Sequence, residues 1–169
     1  MTKVSKVTSR ESFFNTALES GTRSLVLLAS SYPKRFDLSR LVYYDYLLVH
    51  SGDVDNGPAS LHPESPFRSG EIVARRKIVE KGLDLVFRKG LVAKTFESRG
   101  ILYAATKSTL AFLDYFESAY ANRAKNVAKW VSENFDDYTD DDLQRFINNN
   151  IGRWGTEFAN DPYIEERVP

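Results

Sequence analysis

Hydrophobic positions recur at helical spacing along much of the chain. They are densest from Leu38 to His50, where apolar residues face almost every direction around a helix, a pattern typical of a helix at the centre of a domain. Asp37 is a suitable N-cap, because its carboxylate accepts hydrogen bonds from N–H groups of the first turn. Upstream, apolar positions between Phe13 and Ser31 predict a first helix, which Pro33 ends. The central helix is therefore expected to organise the rest of the fold.

A long loop with three prolines follows the central helix and leads to a third predicted helix, Gly70 to Lys89. Ser69 is its predicted N-cap, and Gly82 inside it predicts a break into two shorter helices. Two short β-rich runs come next, Leu91 to Phe96 and Ile101 to Ala104, separated by four residues that end in glycine. This spacing predicts a hairpin, and the order of three helices and a hairpin predicts a winged-helix-like core.

The C-terminal part of the chain reads as long helices. Neither glycine nor proline occurs from residue 101 to 151, so Thr106 to Asn134 is predicted to form one helix of about 44 Å. Thr139, followed by three aspartates, predicts the start of a last helix through Asn150. Apolar anchors follow in an acidic tail: Ile151, Trp154 and Phe158. The predicted fold class is mainly α with a small β-hairpin, comprising a flexible lead-in (1–12), a winged-helix-like domain (13–105) and a helical extension (106–169).

Composition narrows the class of protein. Of the 169 residues, 42% are hydrophobic and 13% are aromatic, which suffices for a core, and the absence of cysteine excludes disulfides and thiolate zinc sites. No apolar run reaches the roughly 18 residues of a membrane helix, and the first residues lack a secretory signal pattern. A cytoplasmic protein is expected.

The charges balance overall but are unevenly placed. Residues 68–99 carry nine Lys/Arg against four Asp/Glu, a net +5, and residues 133–169 carry three Arg against ten Asp/Glu, a net −7. These regions are candidates for an anionic and a basic partner, or else are two solvated faces. The third helix and the hairpin supply the candidate contacts to DNA phosphates or to an acidic protein: Arg75, Arg76, Lys77, Lys81, Lys94 and Arg99.

Enzymatic chemistry finds little support in the sequence. The scattered glycines form no phosphate-binding loop, and Ser51 beside His50 lacks the geometry of a nucleophile and base. A calcium-loop-like spacing from Asp53 has Pro58 where glycine is required. His50 and His62 could bind a metal only with further ligands, and loop-fixing hydrogen bonds are the alternative. We predict no catalytic residue, cofactor or metal, and hence a protein that is not an enzyme.

Asp45 breaks the pattern of the central helix. It shares a sector of about 60° with the apolar Leu38, Val42 and Val49. A buried carboxylate needs a cation or several hydrogen-bond donors. We predict that Asp45 pairs with a basic residue of the loop or the third helix, Arg68 first; the alternative is a helix rotated so that Asp45 reaches water.

Five segments resemble a known family: GTRSLVLLASSYP, DLSRLVYYDYLLVHSGD, GPASLHPESPFRSGE, RKGLV and GRWGTEF. They are similar to middle-component proteins of bacterial ABC three-component systems, most closely the second type, the small subunit of Lamassu-like anti-phage defence operons. The specific part is the pattern of His50 to Asp53 and Leu61 to Glu71.

The resemblance implies a non-enzymatic connector between an SMC/Rad50-like ATPase and a separate effector, often a nuclease. The connector would restrain the effector until foreign DNA is sensed. Trp and Arg dominate interaction hot spots, although packing of the tail on the long helix explains Trp154 equally well. The candidate partner-binding residues are His50, Asp53, His62, Arg68, Arg153, Trp154 and Phe158. The competing class is a stand-alone winged-helix transcription regulator that dimerises through the long helix.

Overall fold

Six helices and a small antiparallel sheet build the part of the chain that the structure describes. This structure, a computed structural model, describes residues 16–63 and 68–156, with 68–69 and 155–156 described by their backbone alone. The elements in chain order are α1 (Ala17–Ser30), β1 (Arg35–Phe36), α2 (Leu38–Val49), a 3₁₀ helix (Ser51–Asp53), α3 (Arg68–Arg88), β2 (Val92–Glu97), β3 (Gly100–Ala105), α4 (Lys107–Leu113), α5 (Ala119–Phe135) and α6 (Asp140–Thr156). The predicted fold class, mainly helical with a small β-hairpin, is confirmed. None of these helices is long and apolar enough to cross a membrane.

Helix α2 is the centre of the fold, as its pattern predicts. Nine of its twelve residues are buried, so no face of the helix is left to solvent along its whole length. Asp37 caps it as predicted, since its Oδ1 accepts a hydrogen bond from the Arg40 N–H at 2.8 Å. Burial of each large apolar side chain stabilises the fold by about 1.5–3 kcal/mol. The core around α2 includes Leu25, Leu28, Leu47, Leu48, Val79, Leu83 and Val131.

The sheet has the strand order β1–β3–β2 and is antiparallel throughout. β2 and β3 form the predicted hairpin, in register from Val92 opposite Ala105 to Glu97 opposite Gly100. Gly100 has a φ of 116°, which favours glycine over any residue with a side chain. The two residues of β1 pair with Tyr103 and Ala104. A strand of two residues is too short to show the alternation of apolar and polar positions by which strands are predicted.

Helices α1 and α3 cross in backbone contact at Gly21 and Gly82. A Cβ atom at Gly82 would lie 2.5 Å from the Gly21 nitrogen, and one at Gly21 would lie 2.7 Å from the Gly82 carbonyl oxygen. The prediction that Gly82 breaks the third helix is therefore wrong, because α3 runs unbroken from Arg68 to Arg88. The glycine is needed for the close approach of the two helices, which compensates its cost of about 1 kcal/mol in helix propensity.

The predicted single helix from Thr106 to Asn134 is also wrong. It is interrupted between the end of α4 at Leu113 and the start of α5 at Ala119. The Ser118 Oγ accepts a hydrogen bond from the Ala121 N–H at 3.1 Å and so caps α5. The Lys125 ammonium donates to the carbonyls of Leu113 (2.8 Å) and Phe116 (2.9 Å), which satisfies acceptors that the end of a helix leaves open. Side-chain capping thus turns the chain here without a glycine or a proline.

Helix α6 begins as predicted but ends later. The Thr139 Oγ accepts a hydrogen bond from the Asp142 N–H at 3.1 Å, the expected N-terminal cap. The helix continues past Asn150 and Gly152 to Thr156, because Ile147 and Trp154 on one face are both buried against the core. Phe158 and the lead-in 1–12 lie outside the described residues.

Candidate functional site

A buried ion cluster joins α1, α2 and α3. Asp45 of α2 is fully buried. Its Oδ1 accepts a hydrogen bond from the Arg23 Nε at 2.7 Å, and its Oδ2 accepts from the Arg75 Nη1 at 2.6 Å and the Arg23 Nη2 at 3.2 Å. Arg75 is a partner from the third helix, whereas Arg23 of α1 is a partner that the sequence pattern does not reveal. The side chain of Arg68 lies outside the described residues.

The cluster continues to the end of α2 through Glu71. The Glu71 Oε1 accepts from the Arg75 Nη2 at 2.5 Å and lies 2.6 Å from the His50 Nε2. Burial alone would raise the pKa of both carboxyl groups, but Arg23 and Arg75 lower the pKa of Asp45 to about 2. The hydrogen bond and charge of His50, together with Arg75, likewise lower the pKa of Glu71 to about 2. Both carboxylates therefore remain ionised in the interior at neutral pH.

The loop after α2 is held against that helix by its own polar groups. The N–H groups of Leu61 and His62 both donate to the Val49 carbonyl, at 3.0 and 3.1 Å. The Tyr46 hydroxyl donates to the Asp53 Oδ2 at 2.7 Å, and the His62 Nε2 lies 3.0 Å from the hydroxyl of Tyr120 on α5. Burial, with the charges of Arg23 and Arg75, lowers the pKa of His62 to about 4, so this imidazole is neutral at pH 7.

Both histidines, predicted as partner contacts, lie inside the fold. His50 is 1% exposed and His62 is 9% exposed, and their hydrogen bonds to Glu71 and Tyr120 match the loop-fixing alternative. Asp53, also a predicted partner contact, is half-buried beside Tyr46. In residues 16–63 and 68–156, no group of three or more histidine or carboxylate side chains is arranged to hold a metal ion.

Trp154, for which the sequence leaves an interface anchor and core packing equally open, lies in the core. It is 2% exposed and stacks on Tyr46 of α2, with ring centroids 5.6 Å apart and planes 18° apart. Its neighbour Arg153 is half-exposed, donates to the Asn150 Oδ1 at 2.9 Å and lies 3.5 Å from the Asp55 carboxylate. The two residues therefore attach the end of α6 to α2 and to the loop.

A second polar network holds the connection between α5 and α6. Arg40 of α2 is buried and donates to the Asp140 Oδ1 at 2.8 Å and to the Tyr138 carbonyl. Asp136 accepts hydrogen bonds from the hydroxyls of Tyr44 (2.8 Å) and Ser31 (3.0 Å). Burial, with the bond to Asp136, raises the pKa of Tyr44, so its hydroxyl keeps the proton that it donates. This network is not among the predictions from the sequence, although an arginine inside an apolar helix and an acidic run after α5 are its signals.

The predicted basic surface is smaller than the sequence suggests. Arg75 faces inward and is 4% exposed, where it pairs with Asp45 and Glu71. Lys94 is half-buried, 3.0 Å from the Asp84 carboxylate and 4.3 Å from the centre of the Phe87 ring. The remaining candidates are exposed: Arg76, Lys77 and Lys81 on α3, and Arg99 in the hairpin turn.

Apolar side chains are exposed beside this basic surface. Phe96 of β2 is 79% exposed, and its cross-strand neighbour Ile101 of β3 is 40% exposed. Phe87 at the end of α3 is 42% exposed. Sequence reasoning placed all three residues on regular elements but had no signal for which of them would lack a covering element.

Comparison with known proteins gives one match. The family described as ABC-three component (ABC-3C) system Middle Component 2 matches residues 13–157, most of the chain. No curated protein and no solved structure matches.

Proposed function

Because the chain belongs to the Middle Component 2 family of ABC-three component systems, we propose that it is a connector subunit without catalytic activity of its own. A middle component of a multi-subunit system has protein partners. In this proposal the chain joins an SMC/Rad50-like ATPase to an effector, which we expect to be a nuclease. It helps to restrain the effector until foreign DNA is sensed, in a Lamassu-like antiviral defence complex.

The observation that supports this role best is the division between inward and outward polar groups. The residues most suited to chemistry, His50, Asp45 and Glu71, belong to the buried ion cluster and hold helices together. Exposed charges of one sign concentrate in two regions: basic residues on α3, and acidic residues at the end of α5 and the start of α6. Two such regions on one small subunit suit contacts with two different partners.

Co-purification tests the proposal. The tagged chain is co-expressed with the other two components of its own system and analysed by size-exclusion chromatography with mass determination. We expect one complex of all three. Reversal of the basic region, Lys77→Glu with Lys81→Glu, should release one partner, and reversal of the acidic region, Asp137→Lys with Asp141→Lys, should release the other. Lys129→Glu, an exposed change on α5 with a side chain 74% exposed, serves as the matched control. A chain that elutes alone in the presence of both components would refute the connector role.

A second candidate function, a stand-alone winged-helix DNA-binding regulator, has one observation in its favour. The element order α1–β1–α2–α3–β2–β3 with sheet order β1–β3–β2 is the one expected of a winged helix, and α3 exposes Arg76, Lys77 and Lys81. Titration of the purified chain with duplex DNA at several salt concentrations distinguishes the two. Tight binding with a sequence preference and a steep salt dependence favours the regulator. Weak binding that does not depend on sequence favours the connector.

A further inference from the structure

One edge of the sheet is open to pairing. Among residues 16–63 and 68–156, the strand order places β2 beside β3 on one side only, so part of the N–H and C=O groups of Val92–Glu97 point away from the sheet. Proteins usually protect such an edge with a proline, a bulge, a very short strand or charged side chains. The two charged residues of β2 are engaged within the fold, Lys94 with Asp84 and Glu97 with Arg35 and Arg99. β2 is six residues long, contains no proline or glycine, and stays in unbroken register with β3. It is therefore suited to accept a further strand.

An apolar patch lies next to this edge. Side chains two residues apart on a strand share a face, which puts Phe96 on the same face as Lys94, opposite Ile101. The Lys94 ammonium in turn lies over the ring of Phe87. Phe96 and Ile101 therefore share a strand face with Lys94, which contacts Phe87, and all three apolar side chains are at least 40% exposed. Clustered exposure of this kind marks an interaction surface.

The surroundings of the patch are basic. Residues 81–101 carry five Lys/Arg and two Asp/Glu, a net charge of +3. Both acidic residues are already paired, Asp84 with Lys94 and Glu97 with Arg35 and Arg99. Arg88 and Lys89 are exposed at the end of α3 and extend the basic rim. Charge complementarity therefore favours an acidic partner.

We propose that β2 binds an extended acidic segment of a partner protein, which adds to the sheet as a fourth strand and packs an apolar side chain against Phe96 and Ile101. The proposal rests on the proposed function, because it gives the connector a docking surface for one of its partners. In strand addition, backbone hydrogen bonds supply affinity and alternate side chains supply specificity. A nucleic acid has no alternating N–H and C=O groups with which to complete a strand ladder on this edge, and Phe96 and Ile101 offer its phosphates no positive charge.

A peptide assay tests the surface without any natural partner. The probe is a fluorescein-labelled peptide of about ten residues, the length of a long strand, with alternating valine and glutamate. We expect it to bind the purified full chain by fluorescence anisotropy and to slow hydrogen exchange of the amides in 92–97. Phe96→Ser with Ile101→Ser should weaken binding by about tenfold or more, as loss of a hot spot does. Tyr115→Ser, at a side chain 87% exposed outside the sheet, should leave it unchanged, and circular dichroism verifies that each variant is folded.

Three outcomes would overturn the proposal. The first is no binding of the acidic peptide, or equal binding of a peptide with lysine in place of glutamate. The second is binding that Phe96→Ser with Ile101→Ser leaves intact. The third is a duplex of about 20 base pairs, enough for two helical turns, that binds the chain and displaces the peptide; this would identify a nucleic-acid surface. The peptide assay and the co-purification test the two proposals separately. If the chain assembles with the other two components but does not bind the peptide, the connector role stands and this docking surface is refuted.

Discussion

Replacement of Asp45 by alanine should destabilise the fold by about 3–5 kcal/mol, the usual cost of breaking a buried ion pair from one side. Arg23 and Arg75 are only 3% and 4% exposed, and each lies within 2.7 Å of the carboxylate. Charges about 4 Å apart attract by about 4 kcal/mol at an effective dielectric of 20, so the two pairs contribute about 8 kcal/mol. Transfer of three ions into the interior costs several kcal/mol each, so the intact cluster is close to neutral. In the alanine variant the desolvation cost of Arg23 and Arg75 remains, whereas their attraction to the Asp45 carboxylate is lost.

Urea unfolding followed by circular dichroism measures this loss. With a slope of about 2 kcal/mol per molar urea, a loss of 4 kcal/mol lowers the midpoint by about 2 M. A companion variant, Arg23→Met with Asp45→Leu, replaces one pair by apolar side chains and leaves Arg75 with Glu71. It should recover at least half of the loss, because apolar replacement of a buried ion pair is often neutral or stabilising.

The matched control is Asp137→Ala. Its side chain is fully exposed and its contact with Lys34 is 3.5 Å long, so the urea midpoint of this variant should match that of the unchanged protein. If Asp45→Ala costs less than about 1 kcal/mol, or if the apolar double variant is no more stable than the single one, the reasoning from buried charge is refuted.

Three further predictions concern packing and protonation. Gly82→Ala should destabilise by about 1–3 kcal/mol through the clash with Gly21, whereas Gly152→Ala, where nothing lies within 4 Å, should stabilise by about 0.5–1 kcal/mol; equal melting temperatures for the two variants would contradict the crossing. Trp154→Ala should cost about 3–5 kcal/mol and expose α6 to limited proteolysis, and an unchanged cleavage pattern would show that the indole does not hold the helix. His62 has a pKa lowered from 6.5 to about 4, so below pH 6.5 the unfolded chain binds a proton that the folded chain does not. Between pH 7 and pH 5 the unchanged protein should therefore lose about 2 kcal/mol more stability than the His62→Phe variant. If the urea midpoints of the two proteins fall equally over this range, His62 is not the cause of the loss.

The elements that sequence reasoning predicts well are those whose signals are local. The apolar pattern of α2 and the β-rich runs of the hairpin depend on residues within one element, and Asp37 and Thr139 cap helices through N–H groups three residues away. The family resemblance, carried by segments on both sides of Asp45, is confirmed by the match over residues 13–157.

The features that escaped prediction depend on how elements pack. Arg23 lies in the first predicted helix, and the packing of α1 against α2 brings it to Asp45, 22 residues along the chain. A glycine within a helix can mark a break or a close contact with another helix. At Gly82 the backbone of α1 decides between the two, and the sequence near Gly82 does not show that backbone. The interruption after α4 relies on Ser118 and on Lys125, residues common inside helices. A residue's exposure, as at Phe96, likewise depends on which elements come to cover it.

The contact of Gly21 with Gly82 has a mechanical consequence. Most helix pairs touch through side chains, which change rotamer and so absorb small displacements. Here the backbones of α1 and α3 meet directly, and backbone within a helix has no comparable freedom. A displacement of α3 is therefore passed to α1 without being absorbed by side-chain rearrangement. We therefore expect α1 and α3 to move as one rigid unit when a partner displaces either helix.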